Sequence, residues 1–185
     1  MKKFSFDPFI KGKNIHLVCL SDEVIENTNW YNWFNDEDTT DQMQKHYFPN
    51  TKAMQLNFFN SNVQDNPRKL QLGILNIKDN ILIGVISLSD INYINRSAEI
   101  SVVIGEKKYK DLNNFIESAR LLIKHGFETL NLNRIYSGTF IKEIDIMFCK
   151  VLGFTNEGVS KEAVYKNGEY KDTYHHAILR KNYNK

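Results

Sequence analysis

The sequence predicts an α/β fold built on one largely antiparallel sheet, and three observations carry that expectation. Residues 70–77, 81–88 and 98–104 are rich in β-formers and are broken only by polar turns at 78–80 and 92–97, the pattern of a β-meander. Phe115, Ile116, Ala119, Leu122, Ile123, Phe127 and Leu130 recur at helical spacing. Asn167-Gly168, a pair that tolerates the positive φ angles of a type I′ turn, joins two further β-rich runs near the end of the chain.

The elements follow in order. Residues 15–20, with Gly12 before them and Ser21-Asp22 after, read as a first strand, followed at once by a helix. Trp30, Tyr31, Trp33 and Phe34 crowd one short stretch that ends in the polar turn Asn35-Asp36-Glu37-Asp38. A second, less regular helix over 51–60 starts at Thr51, a plausible cap, and Asp65-Asn66-Pro67 is the next turn. After the meander and the long helix of 112–130, residues 134–139 form a strand. Ile144, Met147, Phe148 and Val151 mark a shorter helix that stops at Gly153. Strands at 159–165 and 172–179 close the chain as a hairpin, giving about seven strands in the order β α α β β β α β α β β. Without an internal repeat or a dividing linker, residues 1–185 are expected to form a single domain.

Composition narrows the function. With 42% hydrophobic, 25% charged and 12% aromatic residues, disorder and low-complexity arrays are excluded. Lys and Arg total 24 against 22 Asp and Glu, so no bulk field compels binding to nucleic acid or an anionic membrane. No apolar run approaches the roughly 20 residues that span a bilayer, and the first ten residues lack the apolar stretch of a signal peptide. A cytoplasmic protein is expected, with Cys19 and Cys149 reduced because they form no C-x-x-C pair. The five histidines, His16, His46, His125, His175 and His176, show no metal-ligand spacing. On a strand His175 and His176 point to opposite faces, and no metal is expected.

Five features in order give the chain a more specific identity. They are Ala98-Glu99-Ile100-Ser101-Val102-Val103-Ile104-Gly105, the helix ending His125-Gly126-Phe127, Leu130-Asn131-Leu132-Asn133-Arg134-Ile135, Val151-Leu152-Gly153-Phe154 followed by Glu157-Gly158, and the terminal hairpin. Over residues 70–183 this order resembles the GNAT family of acyl-CoA-dependent N-acyltransferases, in the branch of ribosomal-protein N-terminal and amino-sugar acetyltransferases. The stretch from Trp30 to Asp36 is similar to that branch's opening segment. The resemblance implies a mixed, mostly antiparallel sheet with helices on both faces, in which two neighbouring parallel strands splay apart. It implies acetyl-CoA as cosubstrate, its pantetheine bonded to the strand carrying Val102, Val103 and Ile104. Its pyrophosphate would lie on the long helix's N-terminus, at Lys110, Asp111, Leu112, Asn113, Asn114, Phe115 and Ile116, where free N–H groups and the helix dipole favour an anion. Lys142 and Phe148 of the short helix would complete the cofactor site.

The chain departs from that family pattern at two places. Asp111, Asn113 and Phe115 stand where relatives carry glycines that let the backbone close on phosphate. An aspartate there repels the pyrophosphate unless it turns away, while Lys107, Lys108 and Lys110 offset the charge or form only a solvated turn. In the short helix, Lys142, Asp145 and Cys149 replace the family's Asn, Ser and Tyr. The proton donor to the departing thiolate then falls to Cys149, or to Asp145 if burial raises its pKa, with Cys149 as a small core residue the alternative.

Glu99 is the candidate general base, with an exposed strand charge or a partner for Arg134 as its alternative role and Asp90 in reserve. Trp30, Trp33 and Asp36 are candidate substrate contacts, since an aromatic wall beside acidic residues suits an amine; core packing and a solvated acidic turn are the alternatives. The expected reaction is direct acetyl transfer to a primary amine of a small molecule, favoured as a nucleotide-linked amino sugar. The alternatives are a protein N-terminal acetyltransferase and a catalytically inactive binding module of the same fold. Neither nucleic acid nor membrane is an expected partner, and a homodimer stays open.

Overall fold

The structure, a computed structural model, describes residues 4–43 and 48–183; His46 lies outside them. An eight-stranded sheet organises the chain. Its strands are β1 (Pro8–Lys11), β2 (Ile15–Val18), β3 (Leu70–Asn76), β4 (Ile81–Asn92), β5 (Ser97–Ile104), β6 (Arg134–Thr139), β7 (Thr155–Lys166) and β8 (Glu169–Leu179). They lie in the order β1-β2-β3-β4-β5-β6-β8-β7. Every pairing is antiparallel except β5 with β6.

The meander and the terminal hairpin stand as the sequence predicts. Asn167 and Gly168 both take positive φ, 53° and 85°, as a type I′ turn requires. β1 is the strand beyond the expected seven, a four-residue edge begun by a proline. β4 also outruns its predicted end, continuing to Asn92 through an irregularity after Ser89 where Asp90 takes φ 49°.

Two apolar cores flank the sheet. On the back face lie α4 (Leu112–Glu128) and α5 (Lys142–Leu152). The predicted stripe of α4 buries Ala119, Leu122, Ile123 and Phe127 against Ile74, Ile86, Leu88 and Ile100 of the strands. α5 ends where Gly153 adopts φ 78°. On the front face lie α1 (Asp22–Asn27), a 3-10 helix (Trp30–Asn35), the short α2 (Glu37–Thr40) and α3 (Lys52–Asn62), which Thr51 caps. Trp30 and Trp33, 0% and 2% exposed, centre this second core with Val18, Val85 and Phe59. The Trp33 ring presses so closely on Gly105 that a Cβ there would come within 2.0 Å of it. Burial thus claims both tryptophans for packing, and neither lines the two cavities of the candidate site.

Candidate active site

The parallel pair β5 and β6 opens the site. They are in register for only three residues, Ser97 to Glu99 against Arg134 to Tyr136. Beyond Glu99, β5 stays paired with β4 as far as Ile104, whereas β6 turns to β8. The other edge of β5 from Ser101 to Ile104 therefore faces a wedge, and its backbone groups there are available to an extended ligand carrying amides.

A cleft of about 340 Å³ fills this wedge. Its walls are Val102, Val103 and Ile104 of β5, Lys110, Asp111, Leu112 and Phe115 at the start of α4, and Ile144 and Met147 of α5. Seven of the expected cofactor residues thus converge. The others lie elsewhere. Asn113, Asn114 and Ile116 line a separate, broader groove beside α4 and the β1–β2 turn. Lys142 is exposed outside both cavities, and Phe148 is buried, stacked on the His176 ring at 4.4 Å.

Charge at the mouth of the cleft is already partnered. Asp111 turns back onto its own helix as the N-cap, accepting from the Asn114 backbone N–H at 2.9 Å and from Asn114 Nδ2 at 2.8 Å. Asp36 caps α2 through the Thr39 N–H at 2.8 Å and pairs with Lys107 at 3.1 Å, while Asp38 meets the same lysine at 2.6 Å. The Lys107 ammonium, then the Thr39 amide, holds the Asp36 carboxyl below its ordinary range. Asp36 and Asp38 are thus tied to Lys107 and do not form a free amine trap. Lys108 bonds Asp79 at 3.2 Å, which leaves Lys110 as the predicted loop lysine that lines the cleft.

On the front face a second pocket of about 450 Å³ adjoins the first, sharing Met43 and Val103 with it. Its floor is a polar row across three strands, because Gln71 pairs with Ser87 and Ser87 with Ser101. Two residues before Ser101, on the same face of β5, stands Glu99. It is half-buried between Ser89 of β4 and Tyr136 of β6. Burial, then the nearby Asp90 charge, raises its carboxyl pKa, which suits a base working near neutrality. Arg134, its expected alternative partner, instead bonds Glu157, with Nη1 at 2.6 Å from Oε1. Asp90 pairs with Arg68 on the exposed rim at 3.6 Å. Tyr136 was not anticipated; burial, then Glu99, raises its phenol pKa.

Asp145 and Cys149 do not line the cleft; Ile144 and Met147 are the α5 side chains that do. Asp145, 7% exposed, instead accepts from His176 Nδ1 at 2.8 Å and from Asn156 Nδ2 at 3.2 Å. The Cys149 thiol lies 3.9 Å from the same carboxylate, and burial, then Asp145, raises its pKa. A thiol in that setting stays protonated at neutral pH and is a proton donor sooner than a nucleophile. His176 is buried behind the sheet while its neighbour His175 bonds Ser160 at 2.8 Å, so the two rings do occupy opposite faces of β8.

A sheet split between two parallel strands, with one cavity against the free strand edge and another beside it, defines the architecture of an acyl-CoA-dependent N-acyltransferase. The chain belongs to the GNAT acetyltransferase family, whose domain model matches residues 18–147. It is 31% identical to spermidine N(1)-acetyltransferase of Vibrio cholerae over 131 residues, 68% of this chain and 71% of that one. It is also 31% identical over 104 residues to YdaF of Bacillus subtilis, provisionally named a ribosomal N-acetyltransferase, and there it spans only 56% of that protein's length. The solved structure of the Vibrio cholerae spermidine enzyme with CoA and spermine superposes with a TM-score of 0.81 at 22% identity, covering 92% of this chain and 98% of that one. That likeness confirms the fold.

Proposed function

We propose that the protein transfers an acetyl group from acetyl-CoA to the primary amine of a small molecule by direct attack. The observation that carries this reading is the shared wall of the two cavities, which brings a cofactor wedge and an acceptor pocket together at Val103, beside Ser101 and Glu99. The wedge fits the cosubstrate. Its unpaired β5 edge offers amide partners, and its apolar flanks from Phe115, Ile144 and Met147 suit a methylene chain. Acetyl-CoA supplies the activated thioester. Glu99 takes a proton from the incoming ammonium, directly or through water, so that a neutral amine attacks. CoA leaves as its thiolate, which takes up a proton from solvent; Cys149, held as a thiol beside Asp145 and off the cleft wall, packs against the core.

An acceptor pocket of about 450 Å³ has room for a compact molecule such as an amino sugar. The small-molecule substrate named among the relatives above is instead the polyamine spermidine. Incubation with acetyl-CoA and a set of primary amines, followed by mass spectrometry, tests the reading. An N-acetylated amine with stoichiometric free thiol is expected. Thiol release without amine acetylation would overturn it.

A further inference from the structure

We infer that the front pocket selects a hydroxyl-bearing, singly charged amine and discriminates against polyamines, with Gln55 and Gln71 as the residues that read the hydroxyls. The inference rests on the acetyltransferase reading for the identity of the pocket as acceptor site, but its recognition chemistry stands on separate observations.

Gln55 is 2% exposed, lines the pocket, and leaves its Nε2 donor without a hydrogen-bond partner, although its Oε1 accepts from Asn50 at 2.9 Å. Gln71, in the polar floor, has the complementary gap, because its buried Oε1 acceptor is unpartnered. A buried amide left unsatisfied is costly, and a ligand that supplies the missing partner recovers that cost. One open donor and one open acceptor match a hydroxyl, which both accepts and donates. Ser87 and Ser101 extend the same row, while Phe34 and Phe58 supply apolar walls for the C–H face of a ring.

Charge points the same way. Among the described residues lining the pocket none is an aspartate or glutamate, and the one charged side chain is Lys69, whose ammonium lies 5.0 Å over the Phe58 ring. A polyamine would bring several ammonium groups into a cavity whose described lining offers no carboxylate. A molecule with one amine escapes that penalty once Glu99 has removed its proton.

Calorimetric binding of D-glucosamine and of spermidine to the CoA-saturated protein decides the matter independently of turnover. Glucosamine should bind at least about tenfold more tightly, and Gln71→Leu should erase most of that preference. Gln55→Leu should act likewise, with circular dichroism confirming that the variant folds. Gln71→Glu, of equal size, should shift the preference toward spermidine, which a merely misfolded variant would not do. Tighter binding of spermidine by the wild type, no binding of glucosamine, or an unchanged preference in Gln71→Leu would overturn the inference. If glucosamine binds as expected but no N-acetyl product forms, the acetyltransferase reading fails while the pocket's selectivity stands.

Discussion

The Asp111 carboxylate accepts from both nitrogens of Asn114, the backbone N–H at 2.9 Å and Nδ2 at 2.8 Å, and thereby places a negative charge on the helix end that borders the cofactor cleft. The family resemblance implies a helix end open to phosphate; this chain caps its own. The cap stabilises α4 by about 1 kcal/mol, but its charge opposes a pyrophosphate. Asp111→Asn keeps an acceptor for the Asn114 amide and removes the charge. Calorimetry should therefore show acetyl-CoA binding about three- to tenfold tighter with little change in melting temperature. Weaker binding would mean that the cap carboxylate orders a different phosphate cradle.

Glu99 is assigned as the base on position and environment. Glu99→Gln should lower kcat by about a hundredfold while acetyl-CoA affinity stays constant. A base works only when ionised, and burial with Asp90 raises this carboxyl, so activity should fall as pH drops through a value above the ordinary glutamate range. The variant should lose that acid limb. Wild-type turnover in Glu99→Gln would remove the residue from the mechanism.

Cys149 packs against the core beside Asp145, off the cleft wall, and burial, then Asp145, raises its pKa. Cys149→Ala should therefore leave kcat and its pH profile unchanged while lowering the melting temperature. A large loss of kcat together with the loss of a basic limb would instead make the thiol the proton donor, and an acetylated Cys149 seen by mass spectrometry would demand a covalent mechanism.

Glu117 ties the β1–β2 turn to α4, accepting from the Lys13 N–H at 2.7 Å and from Asn14 N and Nδ2 at 2.9 and 2.8 Å. Burial pushes its carboxyl up, but donors on Asn14, Lys13 and Ile15 outweigh burial and hold it below the ordinary range. A depressed pKa contributes stability that is full above the unfolded value of about 4.3 and is lost as pH falls through the folded value. Glu117→Gln should cost about 1–2 kcal/mol at neutral pH. Thermal denaturation should also show a flatter loss of stability in acid. An unchanged acid limb would contradict this anchoring.

Periodicity and turn chemistry made most of the fold legible. The stripe from Phe115 to Phe127, the meander and Asn167-Gly168 are local patterns whose packing follows from spacing alone. β1 escaped because Pro8-Phe9-Ile10-Lys11 is too short to show alternation and is held by pairing with β2. Trp30 and Trp33 could be core or pocket wall on sequence grounds, and only their burial, with the close approach of Trp33 to Gly105, decides for core. At the site, the family resemblance points to the Val102 to Ile104 edge, which lines the cleft, and Glu99 is proposed as base on its strand position. The floor residues Gln71, Ser87 and Ser101 did leave a signal, polar side chains within otherwise apolar strands, but their alignment depends on register across three strands. Tyr136 beside Glu99 and His176 beside Asp145 are long-range pairings that no local pattern encodes.

If the wedge between β5 and β6 receives acetyl-CoA, isothermal titration of the wild-type protein with acetyl-CoA should show saturable one-to-one binding with a Kd of about 100 µM or tighter. Binding should weaken when Phe115 or Met147 at the cleft wall is replaced by a charged residue. Absence of binding at millimolar acetyl-CoA, or binding indifferent to those replacements, would contradict that placement.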